Sequence, residues 1–110
     1  MIRWKMIKNK MEETSNEEYE QKMREKEDIR KAENEFFDRV WYMRHKNSAK
    51  EFHTWNPDIL AGALKAAKEV EEKYGKQSLR VKTNYDAGFI NGKLSALRWV
   101  LGDEWDFLDT

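Results

Sequence analysis

The chain of 110 residues contains no cysteine, which excludes disulfides, zinc-thiolate centres and thiol catalysis. It has one proline and five glycines. So little turn punctuation fits a few long helices better than a meander of short strands. No apolar run approaches the roughly 20 residues of a membrane-spanning helix. The first residues lack the apolar stretch of a secretory signal, so the expected setting is cytoplasmic, without a membrane. Charge of one sign is lacking too: 21 Lys+Arg stand against 21 Asp+Glu. A zero balance speaks against an acidic nucleic-acid mimic and against a generic, basic nucleic-acid binder.

What is present is charge, at 38% of residues, spread unevenly. Residues 1–11 carry four bases and no acid, and residues 12–35 carry ten acids and five bases. Residues 76–102 hold five bases and one acid, and the last eight residues hold four acids and no base. The neutral total therefore conceals signed patches.

The periodicity predicts an all-α fold: three helices in an antiparallel arrangement, with a charged N-terminal helical extension, a docked C-terminal tail and self-association. Residues 1–14 read as a flexible segment and 15–110 as one helical domain. Ser15 and Glu18 have capping-box spacing, which predicts a first helix from there to about Arg44. Its first half is charged and projects into solvent. From Ile29, the residues Ala32, Phe36, Phe37, Val40, Trp41 and Met43 share a broad apolar face. Residues 45–56 read as a loop. Asn56, Pro57 and Asp58 are a strong helix start, and Gly75 is the stop. Between them Ile59, Leu60, Ala63, Leu64, Ala67, Val70 and Tyr74 form an apolar stripe. A basic connector follows, with a short extended piece at residues 79–83.

Asn84 is expected to cap a third helix ending at Gly102. Phe89, Ile90, Leu94, Leu97, Val100 and Leu101 cover one side of it. Gly88, Gly92, Ala96 and Trp99 cover most of the other, leaving Asn91, Ser95 and Arg98 as a narrow polar wedge. A helix apolar nearly all round belongs in an interior. One small subunit can hardly supply that interior, so Gly88, Gly92, Ala96 and Trp99 are the expected homo-oligomer interface.

Residues 91–110, NGKLSALRWVLGDEWDFLDT, look like the ending of small uncharacterised proteins of bacterial and phage genomes. Residues 56–75, NPDILAGALKAAKEVEEKYG, are similar in the same way. That resemblance carries no activity, cofactor or catalytic residue with it. It implies a context of phage and mobile elements, where counter-defence inhibitors are common.

Catalytic constellations fail on spacing. Gly88, Gly92 and Lys93 have three residues between the glycines where a phosphate loop needs four, and Leu94 follows the lysine. His45 and His53 do not share a helical face, and no acid stands at metalloprotease spacing. Both read as solvated loop residues. Asp103, Glu104, Asp106 and Asp109 lack the glycine and bidentate glutamate of a calcium loop. No catalytic residue, metal or cofactor is therefore expected, and the chain reads as a non-enzyme.

Aromatic and basic residues interleave between Trp41 and Trp55, the mixture of protein interfaces and of base-stacking sites. Trp41, Arg44, Trp55, Asn91, Lys93 and Arg98 are the candidate binding residues. Lys93 lies within the apolar arc, where it should snorkel to solvent, pair with Asp86 or Glu33, or meet an anion. The leading expectation is stoichiometric contact with a protein partner, such as a host defence effector, in the manner of an anti-CRISPR inhibitor. The alternatives are an oligomeric sponge for an anionic nucleotide and a bacterial assembly or regulatory protein.

Overall fold

The computed structural model describes residues 7–8 and 21–105, and it is all-helical over them. Three main helices pack together: α1 (Lys26–Asn47), α2 (Pro57–Tyr74) and α3 (Asn84–Val100). A 3-10 helix, Ala49–Thr54, links α1 to α2. Ile7 and Lys8 are helical and exposed. The expected cap at Ser15 and Glu18 lies outside the described residues.

The long first helix is shorter at its start than the sequence implies. Residues 21–25 are not helical, and α1 begins after Glu25, whose backbone is extended. This stretch offers only Met23 to bury, and Met23 is exposed. Without an apolar anchor, local propensity alone does not hold a helix in water. Glu27 and Asp28 then lie in the first turn and Arg44, His45 and Lys46 in the last, each sign at the favourable end of the helix dipole. At the other end α1 runs three residues past Arg44, and Ser48 closes it through its backbone N–H.

The boundaries of α2 are those the sequence predicts. The Asn56 side chain accepts from the backbone N–H of Asp58 at 2.8 Å, and Gly75 ends the helix at φ 84°. For α3 the cap is Thr83 rather than Asn84. The Thr83 hydroxyl accepts from the Asp86 N–H at 3.1 Å, and the Asp86 carboxylate accepts from the Thr83 N–H at 3.3 Å. This reciprocal pair is a capping box. At the far end Asp103 N–H donates to the Arg98 carbonyl and Gly102 N–H to that of Trp99, with Gly102 at φ 113°. That is the Schellman closure, in which glycine takes the left-handed conformation.

α1 is the shared partner of the other two helices: α3 packs most extensively on it, α2 less, and α2 and α3 make little contact with each other. The core is correspondingly thin. Val40, Tyr42, Ala67, Leu79 and Leu94 are its buried apolar residues. Tyr42, Ala67 and Leu79 form its centre, with Trp41, Val70 and Tyr74 packed around them. The expected extended piece at residues 79–83 is instead a turn over 76–79 followed by irregular chain. Leu79 drives that turn into α1.

Polar groups finish what the apolar core leaves open. The Tyr42 hydroxyl donates to the Glu71 carboxylate, and the Tyr74 hydroxyl donates to Asp38 at 2.9 Å. Burial, then the bonded carboxylate, pushes both phenols up to about 12. Arg39 binds Glu35 at 2.9 Å, donates to the Ser78 carbonyl at 2.8 Å, and lies 5.0 Å over the Tyr74 ring. One side chain thus ties α1 to the end of α2 and to the connector.

Hydrogen bonds to charged groups are stronger than neutral ones, and a phenol removed from one leaves a carboxylate without its donor. Tyr42→Phe is therefore expected to lower the unfolding free energy by about 1–2 kcal/mol in urea titration. Tyr85→Phe, which alters an exposed ring, should change it by less than about 0.5 kcal/mol. Equal effects would show that the Tyr42 hydroxyl adds nothing to the fold.

Candidate functional site

Three surfaces stand out. The first is an aromatic ladder at the end of α1. Trp41 stacks on His45 at 5.0 Å, His45 meets Phe52 at 4.9 Å, and Phe52 meets Trp55 at 4.9 Å. The 3-10 helix folds residues 52 and 55 back onto α1, so the expected loop is ordered by its own aromatics. Trp41 and Trp55 are brought into one structure and are half-buried in it. Trp41 also lines a groove of about 480 Å³ between α1 and α2, with Phe37 and Val70. Arg44 lies beside the ladder but is exposed to solvent.

His45 is not the solvated loop residue the sequence implies. It belongs to α1 and is buried. Burial, and then the neighbouring Lys46, hold its pKa below the ordinary 6.5, against an opposing pull from Glu71. It is thus a neutral aromatic rung in the ladder. His53 is exposed. Among the described residues no cluster of His, Cys, Asp and Glu could hold a metal ion.

The second surface is the outward face of α3. Its inward stripe is narrower than the sequence suggests: Leu94 is buried, and Ala87, Ile90, Leu97 and Leu101 are half-buried. Phe89 and Val100, expected on the core side, face outward. Tyr85 is 76% exposed, Phe89 51%, Trp99 49%, Val100 54% and Trp105 49%. Gly88, Gly92 and Ala96 lie exposed among them. Among the described residues a methyl group added at Gly88 or Gly92 would meet no atom within 4 Å, so that part of the protomer does not require their small size. Trp105 stacks on Trp99 at 4.9 Å and 12°. The tail therefore lies on α3 through Trp105; Asp106, Phe107, Leu108 and Asp109 lie outside the described residues.

The polar residues assigned to α3 are engaged within the fold. The Asn91 amide donates to the Ala87 carbonyl at 2.8 Å. Lys93 pairs with neither Asp86 nor Glu33. Its ammonium sits 4.5 Å from the Phe89 ring centre and 5.1 Å from that of Phe36, while Asp86 is occupied by the cap. Arg98 lies 5.9 Å over Phe37. Aromatic faces attract cations, so these two bases join α3 to α1.

The third surface was not picked out from the sequence. The connector crosses the end of α1 and leaves a cleft of about 580 Å³. Lys46, Lys76, Arg80 and Lys82 line it, and among the described residues no acid does. The basic run of residues 76–83 was its visible signal; the closure onto Lys46 was not.

Comparison with protein-family models, with curated proteins and with solved structures gives no match for this chain.

The ladder makes a pH prediction. Below the ordinary 6.5 the unfolded chain takes up a proton at His45 that the folded chain resists, so stability falls as pH falls. Glu71 is different: the Tyr42 hydroxyl holds it below its ordinary 4.5, so its contribution is present above 4.5 and is lost at still lower pH. Urea titrations should show stability declining from about pH 7 to about pH 5.5. His45→Phe should flatten that window and keep the steeper acid loss. An unchanged slope in the variant would remove His45 as the cause.

Proposed function

We propose that the protein is a non-enzymatic binding protein that acts by stoichiometric protein contact, as a homo-oligomer joined through α3. The observation that carries this reading is the outward face of α3. Soluble proteins rarely leave large contiguous apolar patches uncovered unless something docks there. At roughly 150–250 Å² per aromatic side chain, the exposed parts of Tyr85, Phe89, Trp99 and Trp105 present about 450 Å². Val100, Ala96 and the two glycines enlarge the face toward the about 800 Å² that each partner gives to a standard interface. A second copy of the chain is the occupant that fits. Lys93, its one described cation, rests on the Phe89 ring at the edge of the face, and the glycines allow two backbones to approach closely.

The pairing of Tyr74 with Asp38 and of Glu71 with Tyr42 supports an antiparallel setting of α1 and α2 within each protomer. With α3 covered, the aromatic ladder and Arg44 are left as the surface for a different protein. Half-buried tryptophan beside an exposed arginine is the composition of binding hot spots. The phage setting and the counter-defence role enter this proposal through the resemblance of residues 56–75 and 91–110.

Light scattering at micromolar concentration should give at least twice the 13.3 kDa chain mass. Gly92→Leu should give the single-chain mass. The same change should leave the melting temperature of the protomer unreduced. Among the described residues an added Cβ there meets open space, and leucine has a higher helix propensity than glycine. A wild-type chain of single mass, or a Gly92→Leu chain that assembles like wild type, would overturn the reading.

A further inference from the structure

We infer that the cleft between the end of α1 and the connector binds a polyphosphate anion, a nucleoside triphosphate or its inorganic counterpart. The site is distinct from the α3 face and does not depend on it. Lys46 comes from α1, and Lys76, Arg80 and Lys82 come from a seven-residue stretch of connector. Four cations converge on about 580 Å³, within the range of small-molecule sites. In a chain with as many acids as bases, no acid among the described residues lines this cleft.

The convergence follows from packing. Leu79 is buried against Tyr42 and Ala67, which draws the connector onto α1. Arg39 holds the same turn by its bond to the Ser78 carbonyl. With Leu79 fixed inward, its neighbours Arg80 and Lys82 remain exposed at the rim. Only part of the charge is answered by the protein. Glu71 lies 3.9 Å from Lys46 and its charge also acts on Lys76, so one carboxylate stands against these two lysines. Among the described residues neither Arg80 nor Lys82 has a carboxylate within ion-pair distance.

Like charges gathered in one cleft repel each other, and a bound anion of matching charge relieves that repulsion. A triphosphate carries three to four negative charges on a chain of oxygens. Arg80 supplies a planar fork for a phosphate, and the three lysines supply point charges along its length. The side-chain amide of Asn47, also on the cleft wall, adds a neutral donor. Tyr42 stays protonated, its phenol held well above neutral pH, so it adds no negative charge to the site.

Calorimetry on the full chain should use ATP without magnesium, inorganic triphosphate and adenosine. ATP and triphosphate should both bind and adenosine should not, with affinity falling at least tenfold between about 50 and 200 mM salt. If ATP exceeds triphosphate by more than tenfold, the nucleotide is the source; comparable affinities assign the phosphate chain itself. The double change Arg80→Ala and Lys82→Ala alters two exposed side chains and should weaken binding at least tenfold. Lys65→Ala with Lys68→Ala, exposed on α2, should not. Absence of binding at millimolar ATP and triphosphate, equal binding of adenosine, or unchanged affinity in the Arg80/Lys82 variant would overturn the assignment. A single-stranded oligonucleotide binding more than tenfold tighter than ATP would overturn it in favour of nucleic acid.

Discussion

Tyr42 stands where α1, α2 and the connector meet, and the remaining geometry depends on that junction. Its ring is buried with Ala67 of α2 and Leu79 of the connector, and its hydroxyl reaches Glu71. A leucine at position 42 could fill similar space but would leave the half-buried carboxylate without its donor. The junction sets where the connector lies, and so where Thr83 and Asp86 can begin α3. It also decides which bases face each other across the end of α1. The basic cleft is thus a consequence of one buried aromatic and its bond.

Around that junction the protein uses cations on aromatic rings where a larger domain would use aliphatic packing. Lys93 over Phe36 and Phe89, Arg98 over Phe37, and Arg39 over Tyr74 join the helices. Each such contact contributes about 0.5–1 kcal/mol at an exposed site. They also cover ring faces that would otherwise be wet, with the alkyl stems of lysine and arginine lying along them. A chain rich in both charge and aromatics can in this way build an interface without a deep core. Only the inner side of each ring is covered, however, and Phe37 and Phe89 remain about half exposed.

What could be read in the sequence divides along local and non-local lines. The start of α2 at Asn56 and Pro57 and its stop at Gly75 are encoded within a few residues, and they are found as expected. The Thr83 cap was equally local: Thr83 followed three positions later by Asp86 has capping-box spacing, and Asn84 simply stood closer to the helix. The continuous helix expected from Ser15 does not form because residues 21–25 are not helical: Met23, their one apolar residue, is exposed, while Ser15 and Glu18 lie outside the described residues. The roles of His45 and Lys93 depend on rings supplied from elsewhere in the fold, Phe52 and Phe36, which no spacing rule reveals. The cleft is non-local in the same sense, since Lys46 and Arg80 are 34 positions apart.

The outward face of α3 poses the sharpest physical question, because neither packing nor chemistry among the described residues accounts for it. Glycine within a helix costs about 1 kcal/mol relative to alanine, and the space beside Gly88 and Gly92 would accept a methyl group. Exposed tryptophan stacked on exposed tryptophan, as in Trp99 and Trp105, shields one face of each ring and leaves the other to water. A solvated surface has no use for either feature. Both become favourable together when another backbone lies along the glycines and another apolar surface covers the rings. The inward stripe of Ile90, Leu94, Leu97 and Leu101 shows that α3 needs only one side to hold it to α1. Among the described residues its second apolar side is therefore not needed to hold it, which is why assembly is the reading that the thin core and the exposed helix jointly support.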